Sequence, residues 1–325
     1  MILTDTHHRR ISYLRLSVTD KCNLRCRYCI PPRDLAKPPR SALLSYDDLF
    51  RVAQQSAQLG IRKIRVTGGE PLVRPGIVQF LERTNGIQGI GEVVLTTNGM
   101  LLDGMAEPLR QAGVKRLNIS LDSLKPETFA SITGGGSLER VLAGIAAAER
   151  AGFPAPQINV VVLRGVNDGE ILDFAQMALD RSMTVRFIEY MPVNCDRDWS
   201  SFYVNSNEIL WRLARSHQLT PRERTEGSGP ARYFRLDGSD TTIGVISPIS
   251  KHFCASCNRI RITSDGMARG CLFSQDAIDV KPYLARGDEA VKRILTTIIQ
   301  EKPLRHGLSE SFQASGFIPM SAIGG

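Results

Sequence analysis

The chain has 325 residues, 42% hydrophobic and 23% charged, with a formal charge of +8. That is the composition of a globular protein with room for one large or two modest cores, and no stretch nears the roughly 20 apolar residues of a membrane span. The positive excess suits an anionic partner, but the basic residues are scattered, which argues against nucleic acid; on composition alone a merely basic surface explains it as well.

Six strand signals follow one another along the first part of the chain: YLRLSVT (13–19), IRKIRVT (61–67), EVVLTT (92–97), VKRLNIS (114–120), QINVVVL (157–163) and MTVRFIE (183–189). Helical patterns separate them. In LERVLAGIAAAERAG, Leu138, Val141, Leu142 and Ile145 fall at i, i+3, i+4 and i+7, one apolar face. Gly60, Gly113 and Gly152 each stand just past such a pattern, where a helix C′ glycine is expected. The alternation predicts parallel βαβ units. Six units are too few for the usual closed eight-stranded barrel, so a partial barrel or an open twisted sheet is expected. After residue 190 the alternation stops. MPVNCDRDWSS reads as a loop, followed by a helix around Trp211, the stretch TPRERTEGSGPAR, and short strands near 232–236 and 241–247. The expected division is 1–194 and 195–325.

The opening MILTDTHHRRISYLRLSV has no signal-peptide h-region, so a cytoplasmic location is expected. Clustered cysteines are then metal ligands or catalytic groups rather than disulfides. Cys22, Cys26 and Cys29 have C-x3-C-x2-C spacing directly after the first strand, on the edge where parallel α/β folds bind ligands. Three thiolates can hold a four-iron, four-sulfur cluster and leave one iron open. A structural zinc would need a fourth ligand from elsewhere. Cys254, Cys257 and Cys271 form a second triplet, C-x2-C-x13-C, which fits a second such cluster or a zinc completed by His252. Cys195 is left over and reads as a free thiol. Strand alternation sets Arg15, Arg65 and Arg186 on the face opposite their apolar neighbours. A buried guanidinium costs several kcal/mol unless it meets an anion. Three on different strands of one lumen point to a triphosphate, with carboxylate pairing the alternative for any one of them.

The first triplet, with Tyr28 before its last cysteine, resembles the radical S-adenosylmethionine superfamily. The resemblance implies an α/β fold, a partial (β/α)6 barrel, and a [4Fe-4S] cluster whose open iron binds S-adenosyl-L-methionine. It also implies a 5′-deoxyadenosyl radical that takes hydrogen from the substrate. It assigns cofactor contacts to Tyr28, to Gly69 in TGGEP, to Ser120 in NISLDS and to Met191. Within that superfamily, FCASCNRIRI and the terminal Gly324-Gly325 resemble the GTP 3′,8-cyclase family of molybdenum cofactor biosynthesis, over nearly the whole chain.

This second resemblance implies a C-terminal extension carrying a second [4Fe-4S] cluster that holds the guanine end of GTP. It implies GTP contacts from Arg15, Arg65, Thr96, Gln157, Arg186, Arg259, Ile260 and Arg261, and a catalytic role for Gly324 and Gly325. The implied reaction joins C3′ of the ribose to C8 of guanine, giving (8S)-3′,8-cyclo-7,8-dihydroguanosine 5′-triphosphate. Implied partners are a reducing electron donor and the next enzyme, cyclic pyranopterin monophosphate synthase, with no nucleic acid or membrane, and a monomer or homodimer. At position 157 the family usually has lysine. Gln157 can hydrogen-bond a phosphate but brings no charge, so either nucleotide affinity is weaker here or another cation compensates, with Arg164 a candidate. Two other readings are a peptide maturase, which usually carries more C-terminal cysteines, and a zinc-containing nucleic-acid binder, which would want an aromatic-rich basic module.

Overall fold

The computed structural model describes residues 3–29, 43–192, 199–223, 229–274, 276–306 and 320–323. Cys195, Gly324 and Gly325 lie outside the described residues. The six expected strands form as β1 (Tyr13–Ser17), β2 (Lys63–Thr67), β3 (Glu92–Thr97), β4 (Arg116–Ser120), β5 (Gln157–Val162) and β6 (Thr184–Glu189). They pair in chain order, all parallel. Between them run α1 (Tyr46–Gln58), α2 (Ile77–Asn85), α3 (Ala106–Gln111), α4 (Pro126–Thr133), α5 (Leu138–Arg150) and α6 (Ile171–Asp180).

Local chemistry sets the helix ends. Ser45 accepts the Asp48 amide and the Asp48 carboxylate reaches back, a capping box that starts α1. Ser137 caps α5 by accepting the Arg140 amide. Gly60, Gly113 and Gly152 take φ of 96°, 83° and 73° just past α1, α3 and α5, the left-handed turn that stops a helix and that a Cβ disfavours.

Alternation splits every strand. One face, with Leu14, Leu16, Ile64, Val66, Leu95 and Val160, is buried against helix residues such as Leu49, Phe80, Leu109, Ile145 and Phe174. Burying each such side chain contributes about 1.5–3 kcal/mol. The helices are held on this face, and the opposite face is left to line the inside of the partial barrel.

The later described residues build no separate sheet. α7 (Trp199–Phe202) begins inside the stretch expected to be loop. Trp199 is buried there, edge-on to Tyr203 at 5.5 Å, and burial of the indole outweighs the weak local propensity. α8 (Ser206–Ala214) is the helix around Trp211. It leads to β7 (Leu219–Arg222), β8 (Arg232–Leu236) and β9 (Thr242–Ile246), antiparallel to one another. β9 then pairs parallel with β6. On the other side β10 (Arg259–Ile262) pairs parallel with β1, followed by β11 (Met267–Arg269) and β12 (Ile278–Asp279). The result is one twelve-stranded sheet in the order β12-β11-β10-β1-β2-β3-β4-β5-β6-β9-β8-β7. The six-stranded partial barrel gains three strands at each edge, and its ends stay unjoined. After α9 (Lys281–Leu284), α10 (Asp288–Gln300) packs on α1, and α11 (Met320–Ile323) is the last described element. Among the described residues no helix is long and apolar enough to cross a membrane.

Candidate active site

The inner face of the sheet walls a cavity of about 830 Å³. Register sets three arginines in a row across three strands, with Arg15 of β1 opposite Arg261 of β10 on one side and Arg65 of β2 on the other. Arg65 donates to the Thr96 hydroxyl over 3.0 Å and, through Nε, to the Tyr13 hydroxyl. Arg186 donates to Asn159 over 2.9 Å. Burial, then the charge of Arg259, pulls Arg261 down to about 10, and burial followed by Arg261 pulls Arg15 well below the usual guanidinium range. Among the described residues, nine Arg or Lys and three acidic residues line the cavity, an excess suited to a ligand carrying several negative charges.

Thr96, Gln157, Arg186 and Arg259 line the same cavity, with Gln157 level with Asn118 and Thr184. One expectation is narrowed and one needs correction. Ile260 lies in register with Leu14 and is buried in the helix-covered core. Alternation turns its side chain away from the cavity that Arg259 and Arg261 line, so any ligand contact there is left to its backbone. Arg164 does not substitute beside Gln157. It is ion-paired with Glu208 at 2.6 Å and donates to the Tyr203 carbonyl on the exposed surface. Among the cations on the cavity wall, Lys63 and Arg116 share Glu92 at 2.8 and 2.5 Å. Burial works to raise the Glu92 carboxyl, but its bonds to Arg116 and Lys63 outweigh it and hold the group down to about 2.

At the C-terminal end of β1 the chain enters the loop of Cys22, Cys26 and Cys29. The turn after β2 pins this loop: the Gly69 amide donates to the Thr19 carbonyl and the Glu70 amide to the Lys21 carbonyl, both over 2.7 Å. A Cβ on Gly69 would come within 2.4 Å of the Lys21 oxygen, so glycine is what permits the approach. Glu70 is fully buried and accepts from the amides of Leu72 and Asn98 and the hydroxyl of Thr97. Burial pushes its carboxyl up to about 7 against those bonds. Asn98 in turn reaches Asn23 at 2.8 Å and the Cys22 sulfur at 3.7 Å. The Tyr28 hydroxyl donates to Asp122 over 2.5 Å, and Asp122 also accepts the Val161 amide. Burial pushes the Asp122 carboxyl up to about 6. Gly69, Tyr28, Ser120 and Met191 line the cavity with the three thiols.

The second triplet stands at the other edge. β10 runs parallel to β1 but is entered from Cys257, whereas β1 is left toward Cys22. β11 runs antiparallel to β10, which returns Cys271 to the edge of Cys257. A five-residue strand spans about 16 Å, which sets the scale of the separation between triplets. All six thiols line the one cavity. Burial works to raise the Cys257 thiol, but Arg259 and Lys302 outweigh it and bring it down to about 6. Arg9 clamps this region: it pairs with Asp5 at 2.5 Å and donates to the carbonyls of Cys254, Lys302, Pro303 and Leu304.

Donor spacing bears on what the triplets hold. Among the described residues, His252, Cys254 and His306 are the one set of His, Cys, Asp or Glu groups whose ligand atoms converge within 4.8 Å. That set brings His252, the residue of the zinc alternative, beside one thiol of the second triplet. Each triplet puts three thiols on the cavity wall, a donor set that fits a multi-iron cluster with one iron left open.

Tyr13, Glu70, Asn98, Asp122, Arg9 and Lys302 escaped the sequence reading. Tyr13 shares the period-two face of Arg15, Glu70 and Asp122 lie inside quoted motifs, and Asn98 directly follows EVVLTT, so a local signal existed for these four. Arg9 had none: its contact with Cys254 spans 245 residues.

Residues 16–178 match the family model for the radical SAM superfamily, and residues 183–308 match the model for Molybdenum Cofactor Synthesis C. The chain is similar to the GTP 3′,8-cyclase of Geobacter sulfurreducens, at 53% identity over 326 residues with 100% of each chain covered. It is also similar to that of Alkaliphilus oremlandii, at 43% identity with 99% of this chain and 100% of the relative covered. Among solved structures, Streptococcus suis SuiB bound to S-adenosylmethionine aligns with a TM-score of 0.63 at 15% identity, covering 92% of this chain and 68% of that one. That is a likeness of fold alone.

Proposed function

We propose that this chain, which belongs to the GTP 3′,8-cyclase family of radical S-adenosylmethionine enzymes, converts GTP to (8S)-3′,8-cyclo-7,8-dihydroguanosine 5′-triphosphate, the first step of molybdenum cofactor biosynthesis. The observation that carries the proposal is one strongly cationic cavity running between two cysteine triplets at opposite strand edges.

Cys22, Cys26 and Cys29 would hold the first [4Fe-4S] cluster, with Tyr28, Gly69, Ser120 and Met191 around S-adenosyl-L-methionine. When bound, this cluster supplies the electron that opens the cofactor and yields the hydrogen-abstracting radical. Cys254, Cys257 and Cys271 would hold a second [4Fe-4S] cluster at the guanine end of GTP. Arg15, Arg65, Arg186, Arg259 and Arg261, with Thr96 and Gln157, hold the nucleotide between the two edges. Loss of the C3′ hydrogen atom leaves a radical that adds to C8 of the same nucleotide, and the resulting radical at N7 takes one electron from the reductant and one proton to give the 7,8-dihydro product; the cavity must exclude water and stray hydrogen donors meanwhile. Met320 lines the cavity and Ile323 is buried, which supports a place for the adjoining Gly324 and Gly325 in the active site. In this reading residues 1–194 carry the radical chemistry and 195–325 bring the second cluster. The enzyme works in the cytoplasm with a reductant and passes its product to cyclic pyranopterin monophosphate synthase.

Anaerobic incubation of the iron-loaded chain with GTP, S-adenosyl-L-methionine and a reductant tests this. Cyclised nucleotide and 5′-deoxyadenosine are expected. No nucleotide product, or cross-linking of a peptide in its place, overturns the reading.

A further inference from the structure

Lys302 follows α10 and is 3% exposed. Among the described residues its ammonium meets two groups: the Gly270 carbonyl at 2.5 Å and the Cys257 sulfur at 3.4 Å. A buried ammonium costs several kcal/mol unless an anion faces it. The anions at hand are thiolates, Cys257 in contact and Cys271 directly after Gly270. A Cβ on Gly270 would stand 3.2 Å from the Lys302 Cα, so a small residue at 270 keeps the approach open.

The same strap reaches the third cysteine. The His306 amide bonds to the Cys254 thiol, and Arg9 ties the Cys254 carbonyl to the carbonyls of 302–304. The first triplet is treated differently. The donors to Cys22 are the neutral Leu24 amide at 3.3 Å and the neutral Asn98 amide at 3.7 Å. Cys22 is met by neutral donors, whereas Cys257 is met by two cations, the buried Lys302 at 3.4 Å and Arg259 at 3.7 Å.

We propose that Lys302 is a positioning residue that raises the reduction potential of the second iron–sulfur cluster. An added electron makes a thiolate-bound cluster more negative, so an ammonium on a ligand sulfur stabilises the reduced state more than the oxidised one. The inference rests on the reading of Cys254, Cys257 and Cys271 as ligands of that cluster.

The test uses the full chain carrying Cys22→Ser, Cys26→Ser and Cys29→Ser, so that only the second cluster is loaded. Iron and acid-labile sulfide are measured, and the midpoint potential is read by a redox titration followed by electron paramagnetic resonance. Adding Lys302→Met should keep the iron and shift the midpoint to lower potential, while Lys302→Arg, which keeps the cation, should stay nearer the parent. An unchanged midpoint in Lys302→Met overturns the proposal. If Lys302→Met carries less iron, Lys302→Gln decides: a midpoint below the parent's supports it, an equal one overturns it. If the three-serine chain with Lys302 intact loads no iron, the second-cluster reading itself fails and the inference falls with it.

Discussion

Asn98 reaches from the end of β3 to the Cys22 sulfur, 3.7 Å away, while its own amide is held by the Glu70 carboxylate at 2.7 Å. The buried carboxylate thus supports the first thiol through one intermediate residue. Glu70→Gln would turn an amide NH2 toward groups that are themselves donors. Leaving a buried donor unsatisfied costs about 1–3 kcal/mol, a loss expected in denaturant unfolding and accompanied by less iron on the first triplet. Stability equal to the parent's would remove Glu70 from this supporting role.

The two triplets should separate by chemistry. Cys22→Ala should abolish reductive cleavage of S-adenosyl-L-methionine. Cys271→Ala should still form some 5′-deoxyadenosine but no cyclised nucleotide. Cyclisation at the parent rate in Cys271→Ala would refute a substrate role for the second triplet.

Charge in the cavity should decide nucleotide affinity. Arg261→Ala should weaken GTP binding by about 1.5–3 kcal/mol, the range of a charge-assisted hydrogen bond. Gln157→Lys should tighten it, because position 157 lines the same wall. Arg164→Ala should leave it unchanged, since Arg164 is engaged with Glu208 outside the cavity. Equilibrium binding of GTP to the three variants checks all of this, and equal affinity in the first two would deny the cavity its phosphate role.

Tyr13 gives a pH signature. Burial works to raise its phenol, but Arg65, Arg15 and Lys63 outweigh burial and bring it from 10.0 to about 7. The folded value lies below the unfolded one, so the stabilisation is fully present above the unfolded value and is lost as pH falls through the folded one. The stability difference between the parent and Tyr13→Phe should therefore grow in the parent's favour from about pH 7 to about pH 10. A flat difference across that window in denaturant titrations would mean that Tyr13 stays protonated.

Deleting Gly324 and Gly325 should leave folding, iron content and GTP affinity intact and suppress product. A positioning error of about 1 Å can cost roughly 100-fold in rate. Normal turnover by the truncated chain would reduce the tail to a frayed end.

The repeating part of the fold was legible in the sequence. The strands around Arg15, Arg65 and Arg186 announced themselves by alternation, and the spacing of Cys22, Cys26 and Cys29 announced the superfamily, because each signal is carried within a few neighbouring residues. The faces that alternation assigns also hold: Arg15, Arg65 and Arg186 line the cavity. The same rule places the Ile260 side chain in the core, which leaves the contact the resemblance implied to its backbone.

What the sequence determined by itself is the set of local elements and the donor groups they carry. What only the tertiary structure decided is which of them meet. β10 could have joined the sheet at any edge and in either direction. Its parallel docking beside β1 puts Cys257 and Cys22 at opposite ends of one cavity. Arg9 and Lys302 likewise gain their roles by closing on a loop far away in the chain. The physical reason is that such contacts stabilise only after the intervening chain has packed, so neither residue's neighbours in sequence record the partner.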